Sequence, residues 1–190
     1  MEYITEIDFR ILEFIQENLR CEFLDKFLTV ITRIGDHGIV PIITAVILLF
    51  FTKTRKIGLS MGIAFICGGV VGNLFLKNIV GRIRPYDITG VDILIERLSD
   101  YSFPSGHTLI MFETAVVLLI LLKGKYKSIA IGATVIASIV AFSRLYLYVH
   151  YPTDVLAGIV LGSVFGFIGV KLGSYIVAKL EKKNKDKIST

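Results

Sequence analysis

The sequence predicts an all-α protein, an integral membrane helical bundle with about six transmembrane helices and an N-terminal amphipathic helix. Hydrophobic residues make up 54% of the chain, whereas soluble domains average roughly 45–50% apolar residues even when glycine is counted. The charges cluster between long uncharged runs. One run, residues 57–76, contains 20 uncharged residues, about the length that a helix needs to cross a bilayer core. Residues 1–190 are therefore expected to form a single membrane-embedded domain.

The N-terminal helix is expected at residues 1–22. Its stretch 6–20 repeats apolar residues at helical spacing and alternates them with acids, a pattern typical of a helix that lies in the membrane interface. Apolar runs of helical length follow at residues 38–52, 57–80, 105–122, 128–147 and 153–178. A sixth, shorter span at residues 23–34 carries charged residues, so the pattern leaves open whether it crosses the membrane.

The basic loops predict the orientation of the bundle. Residues 53–56, residues 123–127 and the tail at residues 179–190 are rich in lysine, and they fall on one side if the spans alternate. Short basic loops mark the cytoplasmic side. The loops at residues 77–105 and 144–154 then share the extracytoplasmic side, and six spans place the N-terminus in the cytoplasm. Because the net charge of +5 belongs to loops, we expect no nucleic-acid partner.

Three polar stretches lie at the predicted extracytoplasmic ends of the apolar runs. The first, KNIVGRIRP, holds Lys77 and Arg84, which share a helical face if the helix persists between them. Arg82 lies on a different face. The alternative is a basic cluster that only flanks the membrane and reaches the interface with its long side chains.

The second stretch, PSGH, stands directly before an apolar helix. Ser105 is a candidate N-cap, and Gly106 and His107 follow on the first turn. The unpaired N–H groups of such a helix start bind anions, and His107 then faces the same anion. The alternative is a plain capped helix start with an incidental histidine.

The third stretch, SRLYLYVHYPTD, places Arg144, His150 and Asp154 at the junction of two apolar runs. His150 and Asp154 are four residues apart and can pair. A carboxylate on one imidazole nitrogen fixes the tautomer and makes the other nitrogen more nucleophilic. The alternative is a capping interaction at a helix start.

Taken together, the three stretches supply several cations, one helix N-terminus and two histidines on one predicted face. This combination suits a tetrahedral oxyanion, meaning phosphate. No carboxylate cluster of the kind that binds magnesium or zinc accompanies them, so we expect neither a metal nor another cofactor. Of the two histidines, one can act as the nucleophile and the other as the general acid.

The three stretches resemble the three-part signature of the type-2 phosphatidic acid phosphatase family. The matching patterns are Lys77-x6-Arg84-Pro85, Pro104-Ser105-Gly106-His107 and Ser143-Arg144-x5-His150-x3-Asp154, in this order and without a departure. The resemblance implies a helical bundle that hydrolyses lipid phosphomonoesters or pyrophosphates without a metal ion. It also implies the site residues, with His150 as the nucleophile that forms a phosphohistidine, Asp154 orienting it and His107 protonating the leaving oxygen. The implied phosphoryl-binding residues are Lys77, Arg84, Ser105, Gly106 and Arg144.

Two other functions stay open on the sequence. Some relatives bind vanadate at this kind of site and oxidise halides, but those are soluble, and the long uncharged runs argue against this function. A non-enzymatic lipid-binding or transport protein is the other alternative, and the intact His107, His150 and Asp154 argue against it.

The sequence leaves the substrate open among undecaprenyl pyrophosphate, phosphatidylglycerophosphate and phosphatidic acid. The short chain resembles bacterial members, which implies a multi-pass protein of the bacterial plasma membrane. We expect the selecting residues within residues 86–103.

Two further features have more than one interpretation. Glu113 interrupts an apolar run, and an acid inside a membrane helix is a functional candidate; it can line the lipid entrance or pair with a hydroxyl or cation inside the bundle. Gly158, Gly162 and Gly166 recur at a spacing that lets membrane helices approach closely. This contact can be within one bundle or between two copies, so the oligomeric state stays open.

Overall fold

The computed structural model of the chain describes residues 2–188, whose regular elements are all helical, with no strand among them. The helices are α1 (Glu2–Asn18), α2 (Glu22–Ile31), α3 (Ile39–Phe50), α4 (Arg55–Cys67), α5 (Lys77–Val80), α6 (Pro85–Thr89), α7 (Gly106–Leu121), α8 (Lys127–Tyr146) and α9 (Pro152–Ile188). A 3-10 segment, Thr32–Gly38, precedes α3, and a π-helical stretch, Gly68–Leu76, joins α4 to α5. The predicted all-α class is confirmed. Of the predicted termini, residues 1, 189 and 190 lie outside the described residues.

The apolar helices confirm a membrane bundle. Within residues 2–188, four helical stretches are long and apolar enough to cross a membrane, and they are Glu22–Phe50, Arg55–Thr89, Gly124–Tyr146 and Pro152–Asn184. Helix α7 is shorter but also apolar. Helix α2, considered in the sequence as a separate short span, belongs to the first of these stretches.

Helix α7 lies at the centre of the bundle and packs against α8, α9 and α4. Its contact with α9 is close because glycines of α9 face it. A Cβ atom at Gly162 would overlap the carbonyl oxygen of Leu109, and one at Gly166 would lie 3.1 Å from the carbonyl oxygen of Glu113. The glycine spacing therefore serves packing inside one bundle at these positions, the first of its two interpretations.

Helix α1 packs on the end of the bundle that carries the polar loops. Its buried face presents Asp8, Leu12 and Ile15, while other apolar residues of the helix stay exposed, as expected at a membrane interface. Gln16 donates a hydrogen bond to the carbonyl oxygen of Tyr146, at the end of α8, over 2.8 Å. The N-terminal helix thus lies at the same end as the predicted site, and the expectation that it lies on the opposite side is wrong.

The path of α2 explains this error. The chain enters α2 beside Tyr146, whose hydroxyl donates to Asp25 over 2.7 Å. Directly after α2, Thr32 accepts a hydrogen bond from Arg144 over 2.6 Å, and Asp36 reaches His107. The chain is therefore at the polar end both before and after α2. The sequence prediction counted residues 23–34 as a membrane crossing and therefore placed the N-terminus on the side opposite the site. Without this crossing, the N-terminus lies on the same side as the site.

Candidate active site

The third sequence motif folds into a turn that brings His150 back towards Arg144. After α8 the backbone of Tyr148 is left-handed, with a φ of 59°. The N–H groups of Val149 and His150 then both donate to the carbonyl oxygen of Arg144, over 3.2 and 3.3 Å. The turn fixes the imidazole in the interior, where only 1% of His150 is exposed.

Asp154 holds one side of the His150 ring. Its Oδ2 atom lies 3.5 Å from Nδ1 of His150, one turn away at the start of α9. The same oxygen accepts hydrogen bonds from the Ser102 hydroxyl and, over 3.0 Å, from the N–H of Tyr151. The carboxylate is thus held in place by its neighbours, and the second ring nitrogen, Nε2, points to the other side.

Arg84 lies at that second nitrogen. Its Nη1 atom is 3.2 Å from Nε2 of His150 and donates to the carbonyl oxygen of Val149 over 2.8 Å. Burial lowers the pKa of His150 to about 3; Asp154 opposes this shift, and the charges of Arg84 and Arg144 add to it. The buried imidazole is therefore neutral at physiological pH. With Nδ1 facing Asp154, the unprotonated Nε2 accepts a hydrogen bond from Arg84, and its lone pair can act as a nucleophile once a bound phosphoryl group takes over the arginine.

Lys77 and Arg84 meet around the carboxylate of Asp100. Lys77 forms an ion pair with this carboxylate, and Nη2 of Arg84 contacts its Oδ1 over 2.5 Å. Burial alone would raise the pKa of Asp100, but hydrogen bonds and charges from the two cations lower it to about 2. The helix does not persist between the cations, because Gly81 after α5 is left-handed with a φ of 57°. The turn, and not a shared helical face, brings them together.

The second motif starts α7 as predicted. Ser105 is the N-cap, and its side chain accepts a hydrogen bond from the N–H of Thr108. His107 follows on the first turn, and its Nε2 atom lies 2.8 Å from Oδ1 of Asp36. Gly35 makes room for this ring, since a Cβ atom there would lie 2.7 Å from it. The carboxylate of Asp36 therefore holds one ring nitrogen and leaves Nδ1 of His107 available.

Arg144 is buried at the end of α8, and the residues that the structure describes pair only some of its N–H donors. Its Nη1 atom donates to Thr32. Its Nε and Nη2 atoms have no hydrogen-bond partner among the residues that the structure describes. Because buried donors are almost always paired, these two atoms suit an anion that binds between Arg144 and its neighbours.

A cavity of about 550 Å³ lies at this polar end of the bundle. The predicted site residues that line it are Lys77, Arg84, Gly106, His107 and His150. The others, Ser105, Arg144 and Asp154, are buried and do not line it. The cavity continues between α3, α4 and α7 past the apolar side chains of Ile42, Phe65 and Ile110. It therefore has a cationic end and an apolar end.

Sequence reasoning missed several residues that support the site. They are Asp8, Asp36, Arg82, Asp100 and Ser102. Arg82, set aside as lying on another face, donates from Nη1 to Oδ1 of Asp154 and from Nη2 to Oδ2 of Asp8, each over 2.7 Å. Asp100 and Ser102 lie shortly before the second motif. This position was the one local indication in the sequence that they belong to the site. Asp8 had no signal, because its partner Arg82 lies 74 residues away.

Apolar helices that end in a cavity of cations and histidines are the arrangement of an integral membrane phosphatase, and known proteins give the same class. The family model described as the PAP2 superfamily matches residues 53–177. This chain belongs to the PAP2 superfamily, and it is a multi-pass membrane lipid phosphatase. The predicted resemblance is confirmed.

Three known proteins illustrate the similarity. An undecaprenyl-diphosphatase of Sulfolobus acidocaldarius is 36% identical over 152 residues, which cover 80% of this chain and 71% of that protein. The crystal structure of a transmembrane PAP2-type phosphatidylglycerolphosphate phosphatase from Bacillus subtilis matches with a TM-score of 0.76 at 29% identity, covering 93% of this chain and 89% of that one. The crystal structure of Aquifex aeolicus LpxE matches with a TM-score of 0.74 at 29% identity, covering 86% and 94%.

Proposed function

We propose that this protein hydrolyses the phosphomonoester or pyrophosphate of a lipid headgroup through a phosphohistidine on His150, without a metal ion. Candidate substrates are undecaprenyl pyrophosphate, phosphatidylglycerophosphate and phosphatidic acid. The names of the relatives include the first two of these lipids. The observation that carries the proposal is the unprotonated Nε2 of a neutral His150, which faces Arg84 in the cationic end of the cavity, with Asp154 on the opposite nitrogen.

In the first step the Nε2 lone pair of His150 attacks phosphorus. A P–N bond forms while the P–O bond to the lipid breaks, and the leaving oxygen takes a proton from His107. Asp154 stabilises the positive charge that His150 acquires. The Asp36 carboxylate stabilises the protonated form of His107 before this transfer, since its oxygen is 2.8 Å from the ring. General acid–base catalysis of this kind contributes about 10²–10⁴-fold to a rate.

In the second step water attacks the phosphohistidine. His107, now neutral, accepts a proton from the water, the P–N bond breaks and inorganic phosphate leaves. Both steps pass through a transition state in which charge spreads over the phosphoryl oxygens. Lys77, Arg84 and Arg144 neutralise this charge, and the N–H groups at the start of α7 add donors.

The same cations support the proposal of metal-independent chemistry. Side chains supply the positive charge that a metal ion provides in other phosphoryl-transfer sites. The three cations named above are all nine-tenths buried or more, and residues 5–184, whose side chains the structure describes, contain no group of three or more His, Cys, Asp or Glu side chains arranged to hold a metal. EDTA should therefore leave the rate of phosphate release unchanged.

The proposed orientation places the cavity on the extracytoplasmic side of a bacterial plasma membrane. Helix α7 runs from the cavity at Gly106 to Leu121, next to the basic loop at residues 123–127. The positive-inside rule assigns such loops to the cytoplasm. The lipid phosphate then enters the cationic end of the cavity while its tail stays among the apolar side chains or in the leaflet.

Phosphate release by the purified protein from the three candidate lipids tests the function. We expect the wild type to release phosphate from at least one of them, and His150→Ala to release none while its thermal unfolding stays close to wild type. A folded His150→Ala protein with wild-type activity would reject the nucleophile assignment. Loss of wild-type activity in EDTA, restored by magnesium, would reject the metal-free mechanism.

A further inference from the structure

Glu113 is a buried acid that the proposed chemistry does not use. It lies on α7, six residues after His107, which is about 9 Å farther along the helix. Only 1% of the residue is exposed, and it lines the same cavity. Neither carboxyl oxygen has a hydrogen-bond partner among the residues that the structure describes. An acid in this state points to a ligand group that is not part of the chain.

The surroundings of Glu113 keep its carboxyl group in the cavity. Gly68, at the start of the π-helical stretch, contacts the carboxyl directly, and a Cβ atom at this position would overlap Oε1. Phe65 and Leu109 line the cavity nearby with apolar surface. A polar group buried against hydrocarbon without a hydrogen bond costs several kcal/mol, and a lone charge costs more. The carboxyl therefore needs a hydrogen-bonding partner from the ligand.

Polar side chains continue from the phosphate end of the cavity towards Glu113. Asn73 lines the cavity one turn before Lys77, on the π-helical wall. A ligand held at Lys77 and His150 therefore passes Asn73 and then Glu113 before it meets only apolar side chains. The polar part of the cavity is longer than a phosphate group requires.

We propose that Glu113 forms a subsite for an uncharged hydrogen-bond acceptor near the substrate phosphate, the ester carbonyl of a glycerophospholipid. The protonated carboxyl donates its O–H to the carbonyl oxygen, and no proton is transferred. A glycerophospholipid carries such carbonyls a few bonds from its phosphate. A prenyl phosphate offers only hydrocarbon there and leaves the buried carboxyl unpaired. This inference rests on the proposed function. It predicts that the enzyme prefers glycerolipid phosphates to prenyl phosphates as substrates.

The test compares two phosphomonoesters, one with ester carbonyls near its phosphate and one with only hydrocarbon there. Purified protein in detergent micelles is assayed with dioleoyl phosphatidic acid and with farnesyl monophosphate, and the ratio of the two kcat/KM values is the readout. We expect the wild type to favour phosphatidic acid. Glu113→Leu should lower the ratio roughly 10- to 100-fold, as expected when a site loses a buried hydrogen bond to its substrate. Glu113→Gln keeps a donor and should preserve most of the ratio.

A matched control separates this effect from a general disturbance of α7. Met111 is buried against α8, away from the cavity, and Met111→Leu conserves volume, so it should leave the ratio unchanged. The wild type supplies a second readout with the dialkyl ether analogue of phosphatidic acid, which lacks the carbonyls and should be hydrolysed at least about tenfold less efficiently. This comparison decides the question if Glu113→Leu does not fold.

Several results would overturn the subsite. They are a wild type that prefers farnesyl monophosphate, equal losses on both substrates in a folded Glu113→Leu protein, an unchanged ratio, and equal rates on ester and ether lipids. Failure of the proposed function looks different, because the wild type would then release phosphate from neither of these lipids nor from undecaprenyl pyrophosphate. A wild type that hydrolyses the pyrophosphate alone would also overturn the subsite.

Discussion

The Nε2 atom of His150 lies 3.2 Å from Nη1 of Arg84, although 66 residues separate the two in the chain. This contact joins the first sequence motif to the third. The turn that contains Tyr148 holds the histidine, and the carbonyl oxygens of Val149 and Asp100 hold the guanidinium. The assignment of His150 as the nucleophile depends on this juxtaposition.

Asp154→Asn should lower kcat by about 10³-fold or more, because an amide can favour the wrong histidine tautomer and cannot stabilise the charged ring. Ser102→Ala removes one hydrogen bond to the same carboxylate and should cost only about tenfold. Steady-state kinetics on one lipid substrate, with thermal unfolding of each variant, check the order. A larger loss in Ser102→Ala than in Asp154→Asn would contradict the orienting role of Asp154.

Asp8 connects the N-terminal helix to the same carboxylate. It is 1% exposed, and it accepts hydrogen bonds from Arg82 and from the N–H of Thr153. Asp8→Asn should lower kcat about tenfold with a small change in KM, since it loosens Arg82, which holds Asp154. Glu6→Gln is the control on the same helix, because Glu6 forms only an exposed pair with Arg10. Equal kinetics for the two variants would show that α1 does not support the site.

Asp100 forms ion pairs with Lys77 and Arg84, two of the cations that we propose to bind the phosphoryl group. Asp100→Asn removes this anion and should tighten inhibition by inorganic phosphate or vanadate about tenfold, as expected for the loss of a charged partner. Inhibition constants for Asp100→Asn and for Asp92→Asn, an exposed acid of the same loop, make the comparison. Weaker inhibition in Asp100→Asn alone would mean that its carboxylate supports the anion site instead of filling it.

The depressed pKa of His150 predicts a loss of stability in acid. The folded value is about 3, below the ordinary value of 6.5, so the unfolded chain binds a proton between these values and the folded chain does not. The free energy of unfolding should therefore fall as the pH drops from about 7 towards 3, by at most about 1.4 kcal/mol per pH unit. Thermal unfolding from pH 7 to pH 5 should show a smaller fall in Tm for His150→Gln than for the wild type. Identical pH dependence in both proteins would refute this contribution.

The sequence predicted the membrane bundle and the motif residues because both depend on local patterns. Run lengths predicted the helical spans, and the spacing of His150 and Asp154 predicted their pairing. The second motif predicted the N-cap at Ser105 from residue types alone.

Contacts between distant segments were not predictable in the same way. The side on which α1 lies depends on whether residues 23–34 cross the membrane, and a short charged helix carries no clear signal for that. Asp8 and Arg82 pair only after two segments pack together. Lys77 and Arg84 lie close together, as predicted, but the cause is different. The left-handed turn at Gly81 brings them together, and they do not share a helical face.

Detection of the phosphorylated enzyme tests directly whether His150 is the nucleophile. Wild-type protein is mixed with a hydrolysed lipid phosphate and quenched in alkali within one turnover, because the P–N bond of phosphohistidine survives base and breaks in acid. Peptide mass spectrometry then locates the phosphoryl group. We expect phosphorylation of His150 in the wild type and no phosphorylated peptide from His150→Gln. Phosphate release at the wild-type rate with no modified histidine, or with the phosphoryl group on another residue, would contradict this assignment.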